Sequence, residues 1–510
     1  MTCNTTRWRS GCPCCDGRVA LDRRHLLLGG AMLGVASATS HFFASATGAA
    51  AQSAPNPGAA AAPRGGNFIL RGGYVITMDR ALGDIPIGDV HVRNGEIAAV
   101  APSVEAPGAE IVNAQGMIVM PGCVETHSHI WNALLRNMRR PGVEYFPLKD
   151  VFGKHHTPVD YYRAHRLFLT EALNAGITTV INYAHNTQSP AHVDEEIRAM
   201  KESGLRGRYA YGGPDPHPRD KIVDLEDILR VKRQWFGPGS GGLVDLGFGL
   251  RAPAPVGSPP PPSYPEEFRF ARDNGLPIIL HSGFPPNGMT PSKLKAEGFV
   301  DRSMIFVHSL RFDQRDRDAM AETGASNSFS LFNDMRNQRG MELRLQILEM
   351  VRAGINICLS HDATSLNPTS MFDQMRLAFH IASPVAGTPV ENIMLTQTQC
   401  LEMGTINGTK AMGLADRVGP LTSGKRADMI MLRATDLNMM PFADGHSAVL
   451  HSATTANVDT VIVDGRVLKF GGKILSVDVE AVRREAAESF YLIRQRAGGQ
   501  WAPQAWERPV

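Results

Sequence analysis

Two histidines stand two residues apart at the end of an apolar run, in the stretch MPGCVETHSH. Alternate residues of a β-strand point to the same face, so His127 and His129 are predicted to project together. Two imidazoles that converge in this way are able to bind a metal ion. An incidental pair of histidines gives the same pattern, so the interpretation depends on what else shares their surroundings.

Three further side chains suited to metal binding or acid–base chemistry end short apolar runs later in the chain. His281 ends the strand-like run in LPIILHSG, His308 that in MIFVHSL, and Asp362 that in INICLSHDAT. A buried histidine with a local hydrogen bond explains any one of these positions, but not the same chemistry at four strand ends. Imidazoles and carboxylates are costly to bury without partners, and a shared metal ion satisfies all of them.

Apolar runs alternate with amphipathic stretches through the middle of the chain. The runs are MIVMPGCVETHSH, AGITTVINYA, LRGRYAYG, LVDLGFGLRAP, LPIILHSG, MIFVHSL, GASNSFSL and INICLSHDAT. Strand–helix alternation repeated eight times is typical of a (β/α)8 TIM barrel, whose active sites lie at the C-terminal ends of the strands. A doubly wound α/β sheet is the alternative, but no glycine-rich nucleotide-binding sequence follows the first strand.

Short β segments flank this region on both sides, and Asn94-Gly95 between two of them predicts a hairpin. We expect the two flanking sets to pack together as one small β-sandwich domain built from both N- and C-terminal segments. The predicted organisation is a first sandwich part at 67–118, the barrel at 119–423, a second sandwich part at 424–475, and a C-terminal helix and tail at 476–510.

The first residues differ from the rest of the chain. Arg23 and Arg24 precede an apolar segment, and an Ala-rich stretch with an Ala-x-Ala site ends near Ala51. This order is typical of a twin-arginine export signal, although a short buried helix is the alternative. We therefore expect residues 1–51 to be a signal peptide, 52–66 to be a linker, and the protein to be periplasmic or secreted.

The bulk composition is that of an ordinary globular protein. The 510 residues are 43% hydrophobic and 20% charged, with a formal net charge of +2 and no long basic run. This balance argues against a nucleic-acid or anionic-membrane partner. After removal of the signal, no segment approaches the roughly 20 apolar residues that a membrane span needs.

Several of these motifs together resemble the amidohydrolase superfamily. MPGCVETHSH is similar to its opening pattern PG-x-x-D-x-H-x-H, and GITTV, SHD, GKRADMIML and VIVDGRV match later landmarks in order. The resemblance covers 67–475 and is strongest to the branch of cytosine- and adenosine-type deaminases and triazine hydrolases. It implies that one divalent metal, zinc or alternatively iron, is bound by a defined set of residues: His127, His129, His281 and Asp362.

The resemblance also implies a mechanism. Metal-bound hydroxide would attack the substrate, Asp362 would relay the proton to the leaving group, and His308 would polarise the bond under attack. Relatives with two metals carry a bridging lysine on the fourth strand, but LVDLGFGLRAP contains none, which favours one metal. Glu125 and His361 stand where Asp and Thr or Ser are usual, and we interpret them as tuning the site.

One departure bears on the substrate. Deaminases of this branch carry Glu three residues after the fifth-strand histidine, where it protonates a ring nitrogen, and Phe284 stands there in this chain. This favours hydrolysis of a C–N bond in an amide, lactam, carbamate or similar small molecule. Deamination or dehalogenation of a heterocycle is the alternative within enzymes. A catalytically silent binding barrel and a periplasmic solute-binding protein are the alternatives of another class.

Residues in the loops after the strands are candidates for substrate binding. The second strand ends in YAHN, the His-x-His pair is followed directly by two polar or aromatic residues, and another polar residue follows the seventh strand. The predicted substrate-binding residues are Trp131, Asn132, Tyr183, His185 and Asn333. His155 and His156 lie in a loop and are expected at the surface. Many relatives are oligomers, so we also expect a homo-oligomer.

Overall fold

The computed structural model describes residues 62–63, 65–215, 217–218, 220–250, 261–282, 289–337, 340–383, 395–504 and 507. The predicted export signal, most of the linker and Phe284 lie outside these residues. In the part of the chain that is described, no helix is long and apolar enough to cross a membrane.

The strands fall into two sheets. Their bounds are β1 Asn67–Val75, β2 Ile85–Arg93, β3 Glu96–Ala101, β4 Glu110–Asn113, β5 Met117–Pro121, β6 Cys123–Ser128, β7 Ile177–Ala184, β8 Arg206–Tyr211, β9 Val244–Leu250, β10 Ile278–Ser282, β11 Ile305–His308, β12 Ser326–Phe329, β13 Asn356–Leu359, β14 Met429–Arg433, β15 Val458–Val463, β16 Arg466–Phe470 and β17 Lys473–Ile474.

Helices fill the connections, and many begin at a polar cap or a proline. Their bounds are α1 Tyr145–Phe152, α2 Pro158–Asn174, α3 Pro190–Glu202, α4 Leu225–Phe236, α5 Tyr264–Asp273, α6 Pro291–Ala296, α7 Gln314–Thr323, α8 Leu331–Asn337, α9 Gly340–Arg352, α10 Met371–Ala382, α11 Gln397–Gly404, α12 Ile406–Ala411, α13 Gly445–Ser447 and α14 Val479–Ala497. The stretch Ile130–Leu135, directly after the His-x-His pair, is a 3-10 helix.

Strands β6 to β13 pair in chain order as an eight-stranded parallel sheet. The first and last strands meet where a bridge joins Ser128 to Asp362, and Thr126 Oγ1 donates to the carbonyl oxygen of Leu359 at 2.8 Å. Each of these eight strands is followed by at least one helix. The predicted (β/α)8 TIM barrel is therefore confirmed.

The remaining strands come from both ends of the chain, as predicted for the small β-sandwich domain. They are hydrogen-bonded into one nine-stranded sheet, in which β5 pairs with β14 and thereby joins the N-terminal and C-terminal segments. Asn94 and Gly95 take positive φ values of 55° and 82° and connect β2 to β3 as the predicted hairpin. This sheet has its own apolar core, which includes Phe68, Val90 and Met429.

The sequence predicts one strand over the run MIVMPGCVETHS, but the structure divides this run at Gly122. Its first half is β5 of the terminal sheet and its second half is β6 of the barrel. A Cβ atom at position 122 would collide with the side chain of Thr178, so glycine permits this close passage. The first metal-site strand is thus tied directly to the terminal sheet.

The C-terminal helix α14 packs against α2 and the 3-10 helix that follows the His-x-His pair. Arg166 pairs with Glu485, and Arg496 Nη2 lies 2.5 Å from Asp160 Oδ2. Beyond α14, the ring of Trp501 meets Phe152 of α1 edge to face, with centroids 5.3 Å apart. The chain end therefore supports the first loop of the barrel.

Candidate metal centre

Side chains from four strand ends converge at the C-terminal end of the barrel. His127 and His129 project from β6 or just after it, and His281 projects from β10. The ring centroids of His129 and of His281 each lie 4.6 Å from that of His127. One nitrogen from each of these three rings lies within 4.8 Å of the others, and the same limit holds for a second set, His127, His308 and Asp362.

Asp362 follows β13 and completes the cluster. Its Oδ1 lies 3.3 Å from His129 Nε2 and 3.6 Å from His127 Nε2. Asn333 Nδ2 donates to its other oxygen, Oδ2, at 2.5 Å. Asp362 and His308 both take a left-handed backbone conformation, with φ of 68° and 72°. Non-glycine residues pay about 1–3 kcal/mol for such conformations, which recur at functional sites.

Hydrogen bonds fix the orientation of two imidazoles. His129 Nδ1 donates to the carbonyl oxygen of Tyr183 at 3.1 Å, and His308 Nδ1 donates to Asp334 Oδ1 at 2.8 Å. In neutral His129, a proton held on Nδ1 leaves the lone pair of Nε2 free, as a metal-binding histidine requires. The ring of His308 is therefore oriented by a carboxylate that the sequence interpretation did not single out.

The side chains of this cluster fit a divalent metal ion. His127 is fully buried, yet neither of its ring nitrogens has a hydrogen-bond partner among the described residues. Leaving a buried polar atom unpaired costs about 1–3 kcal/mol, and a cation between the three rings and the carboxylate removes this cost. Three imidazole nitrogens and one carboxylate oxygen are also a donor set that zinc accepts.

The electrostatics of the cluster favour neutral imidazoles beside a charged carboxylate. Burial lowers the pKa of His127, and burial with the neighbouring imidazoles lowers the pKa of His129 and His281 well below the ordinary value. Burial opposes a charge on Asp362, but the adjacent His127 and His308 rings and the Asn333 amide hold its pKa at about 2. Metal ligands must be available in these protonation states.

His308 differs from the other imidazoles. Burial opposes its charged form, but the charge and the hydrogen bond of Asp334 outweigh burial and raise the pKa of His308. Asp334 is itself fully buried, and its second oxygen accepts from the backbone amide of Ser330 at 2.8 Å. His308 is thus suited to donate a hydrogen bond toward the centre.

The five residues predicted to bind substrate lie around this centre. Trp131 and Asn132 are fully buried in the 3-10 helix, and Asn333 bonds directly to Asp362. The centroid of the His185 ring lies 4.0 Å from that of His129, and Nδ1 of His185 has no hydrogen-bond partner in the described part of the chain. Their contact with a substrate stays a prediction.

Tyr183 lies under the histidines rather than beside open space. Its ring centroid is 4.3 Å from that of His281 and 5.3 Å from that of His127, and its hydroxyl donates to the carbonyl oxygen of Leu250. Because this hydroxyl already has a partner and the side chain is buried, we infer that Tyr183 supports the metal-binding rings.

The expectation that His156 lies at the surface is wrong. Its side chain is buried between aromatic rings, 5.2 Å from that of Trp131 and 5.8 Å from that of Tyr161. Its Nδ1 donates to the carbonyl oxygen of Phe152 at 2.9 Å, so His156 ties the end of α1 to the residues beneath it.

Helix α1 contributes polar side chains that sequence reasoning missed. Asn132 Nδ2 lies 3.4 Å from the hydroxyl oxygen of Tyr145, while Asn132 Oδ1 is buried without a hydrogen-bond partner among the described residues. Lys149 pairs with Asp215, whose carboxylate lies 3.7 Å from His185 Nε2. These contacts join loops that are far apart in the chain, so no local sequence pattern reveals them.

A TIM barrel with three imidazoles and one carboxylate converging at the C-terminal ends of its strands defines a metal-dependent hydrolase. The profile of the amidohydrolase family matches residues 118–468. This match spans most of the chain, which therefore belongs to the amidohydrolase family. The chain is thus an enzyme of a class that hydrolyses C–N bonds other than peptide bonds.

Individual relatives agree with this assignment. The chain is 28% identical over 445 residues to a 5-methylthioadenosine/S-adenosylhomocysteine deaminase of Desulforudis audaxviator, a match that covers 82% of this chain and 97% of the relative.

Two solved structures share the fold. An atrazine chlorohydrolase from Arthrobacter aurescens complexed with zinc has a TM-score of 0.70 at 19% identity and covers 83% of this chain and 100% of its own. An adenosine deaminase from Xanthomonas campestris with bound zinc has a TM-score of 0.68 at 21% identity and covers 85% and 100%.

Proposed function

We propose that this chain uses one zinc ion to hydrolyse a C–N bond of a small molecule, at the centre formed by His127, His129, His281 and Asp362. The observation that carries the proposal is the convergence of these side chains, with the ligand atoms of the three histidines within 4.8 Å of one another. Zinc is supported by the donor set and by the zinc named in the two structures of similar fold. Iron is the competing metal.

A divalent metal held by these residues would act as a Lewis acid and lower the pKa of a bound water. The protein supplies the proton transfers. Asp362 has a carboxylate oxygen 3.3 Å from His129 Nε2, inside the cluster, where it accepts a proton from the attacking water and later returns it to the leaving nitrogen.

His308 stabilises the charge that develops on the substrate. Nδ1 of His308 donates to Asp334, and in the charged form of the ring Nε2 also carries a proton, which it donates toward the carbonyl oxygen or ring atom that becomes negative. Because the raised pKa of His308 favours its charged form, this donation is charge-assisted and correspondingly strong.

The substrate is an amide, lactam, carbamate or similar compound. Phe284 cannot deliver a proton to a ring nitrogen, so a substrate whose leaving group needs no such help fits this chain best. The second candidate is deamination of a heterocycle, which the names of the relatives favour. His185 lies beside His129, and Asn132 contacts Tyr145 in the loop after the His-x-His pair. The polar groups of these three residues are the contacts we assign to either substrate.

The experiment is a substrate panel with two readouts. The zinc-loaded protein is incubated with cyclic and linear amides, carbamates, 5′-deoxyadenosine and aminotriazines, and the products measured are free ammonia, new carboxylates, and the amine and carbon dioxide that a carbamate releases. A carboxylate from an amide or lactam, or an amine and carbon dioxide from a carbamate, supports the first candidate, and ammonia from a heterocycle supports the second. Asp362→Asn is the inactive control. Activity that survives in Asp362→Asn contradicts the proposed mechanism.

We further propose that residues 1–51 export the folded chain by the twin-arginine route and that the protein forms a homo-oligomer. The paired arginines and the Ala-rich stretch support export. Replacement of Arg23 and Arg24 by Lys is expected to leave the protein in the cytoplasmic fraction. Light scattering of the purified protein tests the oligomer, and a monomeric mass contradicts it.

A further inference from the structure

Glu125 lies two residues before His127 and is fully buried. Its carboxylate accepts three hydrogen bonds. Oε1 accepts from the backbone amide of His127 at 2.9 Å, and Oε2 accepts from the backbone amide of His361 at 3.0 Å and from His361 Nδ1 at 2.6 Å. A single side chain therefore holds the backbone beside two residues of the metal centre.

These hydrogen bonds cross the seam at which the barrel closes. His127 belongs to the first barrel strand, β6, whereas His361 follows the last strand, β13, and directly precedes Asp362. Across the same seam, the backbone amide of His129 donates to the carbonyl oxygen of Asp362 at 2.7 Å. The backbone amide of Asp362 donates to the carbonyl oxygen of His127 at 3.1 Å. The spacing between His127 and Asp362 is therefore set by contacts between two strands at opposite ends of the sheet order.

Both the ring and the backbone of His361 make further contacts besides those with Glu125. It stacks on Phe168, with centroids 5.0 Å apart and planes at 16°. The carbonyl oxygen of His361 accepts from Asn367 Nδ2 at 3.0 Å, and the same amide group donates to Asn333 Oδ1 at 3.1 Å. Asn333 in turn bonds to Asp362. A displacement of His361 is thus transmitted to Asp362 by the backbone and by this chain of amides.

We propose that Glu125 and His361 act together as one positioning unit that sets the distance between the metal ligands His127 and Asp362. The inference rests on the proposed function, because it takes those two residues as ligands. Neither Glu125 nor His361 binds the metal in this account. The Glu125 side chain is long enough to reach across the seam to the ring nitrogen of His361. A substitution of either residue therefore removes the contribution of the other.

The test measures zinc affinity, which requires no substrate. Zinc dissociation constants are obtained by competition with a chromophoric chelator for wild type, Glu125→Gln, His361→Leu, His361→Asn and the double variant Glu125→Gln/His361→Leu. Partners that orient metal ligands typically contribute about 10–100-fold in affinity, so Glu125→Gln and His361→Leu are each expected to weaken binding by about that factor. His361→Asn keeps an N–H group near the position of Nδ1 and is expected to bind zinc within about threefold of wild type.

The double variant tests whether the two residues are one unit. Residues that act together give non-additive losses, so Glu125→Gln/His361→Leu is expected to bind zinc no more weakly than the weaker single variant. The visible spectrum of the cobalt-substituted protein reports the geometry of the ligands, and it is expected to change in Glu125→Gln and His361→Leu but not in His361→Asn. Glu196→Gln is the matched control, because Glu196 is equally buried and lies in contact with Tyr209, away from the centre.

Four results would contradict the proposal, in whole or in part. Wild-type affinity in Glu125→Gln and His361→Leu overturns the positioning role while leaving the proposed function intact, and multiplied losses in the double variant overturn the single unit. Equal losses in His361→Leu and His361→Asn also overturn it, and this comparison remains available if Glu125→Gln fails to fold. A wild-type chain that binds no zinc overturns the proposed function and the inference together.

Discussion

The Nδ1 atom of His308 lies 2.8 Å from Oδ1 of Asp334, and Asp334 is fully buried. This contact keeps a proton on Nδ1 of His308. His308 ends β11, and Asp334 lies 26 positions later in helix α8, which follows β12. The orientation of the proposed electrophilic group thus depends on a carboxylate outside the metal set.

Asp334→Asn is expected to lower kcat by about tenfold or more, because an amide orients the imidazole but no longer favours its charged form. Zinc content is expected to stay unchanged, since Asp334 lies outside the ligand set. Steady-state kinetics and metal analysis of the same preparation check this. Asp227→Asn is the control, as Asp227 is also buried and accepts from Tyr211 at 2.9 Å, away from the centre. Equal kcat in Asp334→Asn and wild type would contradict the role.

Tyr145→Phe is expected to raise KM by roughly 5–10-fold, the effect of about 1–1.5 kcal/mol for one hydrogen bond. The hydroxyl lies beside Asn132, whose Oδ1 has no partner among the described residues and is available to a substrate. Kinetics on the best substrate of the panel measure this change. Tyr162→Phe is the matched control, because the Tyr162 hydroxyl donates to Glu202 at 2.6 Å on the outside of the barrel. A KM that moves equally in both variants would argue against a substrate contact.

Glu196→Gln is expected to change how stability depends on pH. Burial raises the pKa of Glu196 to about 8, although the hydroxyl of Tyr209 opposes this, so the folded protein holds a proton that the unfolded chain releases near pH 4.5. The stability contributed by that proton is complete below about pH 4.5 and is lost as the pH rises to about 8.

Glutamine mimics the protonated side chain and removes this loss. The free energy of unfolding of Glu196→Gln is therefore expected to exceed that of wild type by up to a few kcal/mol at pH 8.5, at about 1.4 kcal/mol per unit of pKa shift, and by little at pH 5. Urea titrations at both pH values measure the difference. A gap that is the same at both pH values would mean that Glu196 is ionised in the folded protein.

Trp501→Ala is expected to loosen helix α1, since the Trp501 ring packs on Phe152 and lies 5.9 Å below the guanidinium carbon of Arg140. Loss of this half-buried ring should cost about 1–2 kcal/mol, and the 139–152 segment should become cleavable by trypsin. Limited proteolysis with mass spectrometry locates the cut. Trp235→Ala, on the distant helix α4, is the control, and cleavage at the same sites in both variants would contradict a local effect.

Much of the fold was predictable, because each barrel strand is an apolar run bounded by an amphipathic stretch. The positions of His281, His308 and Asp362 at strand ends indicated their convergence, since parallel strands present their carboxyl ends to one face. The division of the first run at Gly122 was not predictable. Both halves are apolar, and only the three-dimensional passage beside Thr178 shows where the chain leaves one sheet for the other.

Other features depend on contacts between distant segments. Asp334 is assigned a role because it contacts His308, and Tyr145 because it contacts Asn132. No sequence pattern around Asp334 or Tyr145 indicates these contacts. His156 was misplaced for the same reason, because the aromatic rings that bury it come from the 3-10 helix and from α2. Sequence pattern predicts which residues end strands, whereas the partners that orient them emerge only when the loops are assembled.

The most direct test of the account is the metal content per chain, measured by inductively coupled plasma mass spectrometry on the purified protein and on His127→Ala. The account predicts one equivalent of zinc in wild type and a sharp fall in His127→Ala, because His127 faces both His129 and His281 and has no other partner for its ring nitrogens among the described residues. Two equivalents would mean that a bridging ligand exists. Absence of metal after growth with added zinc, iron or manganese would contradict the central claim.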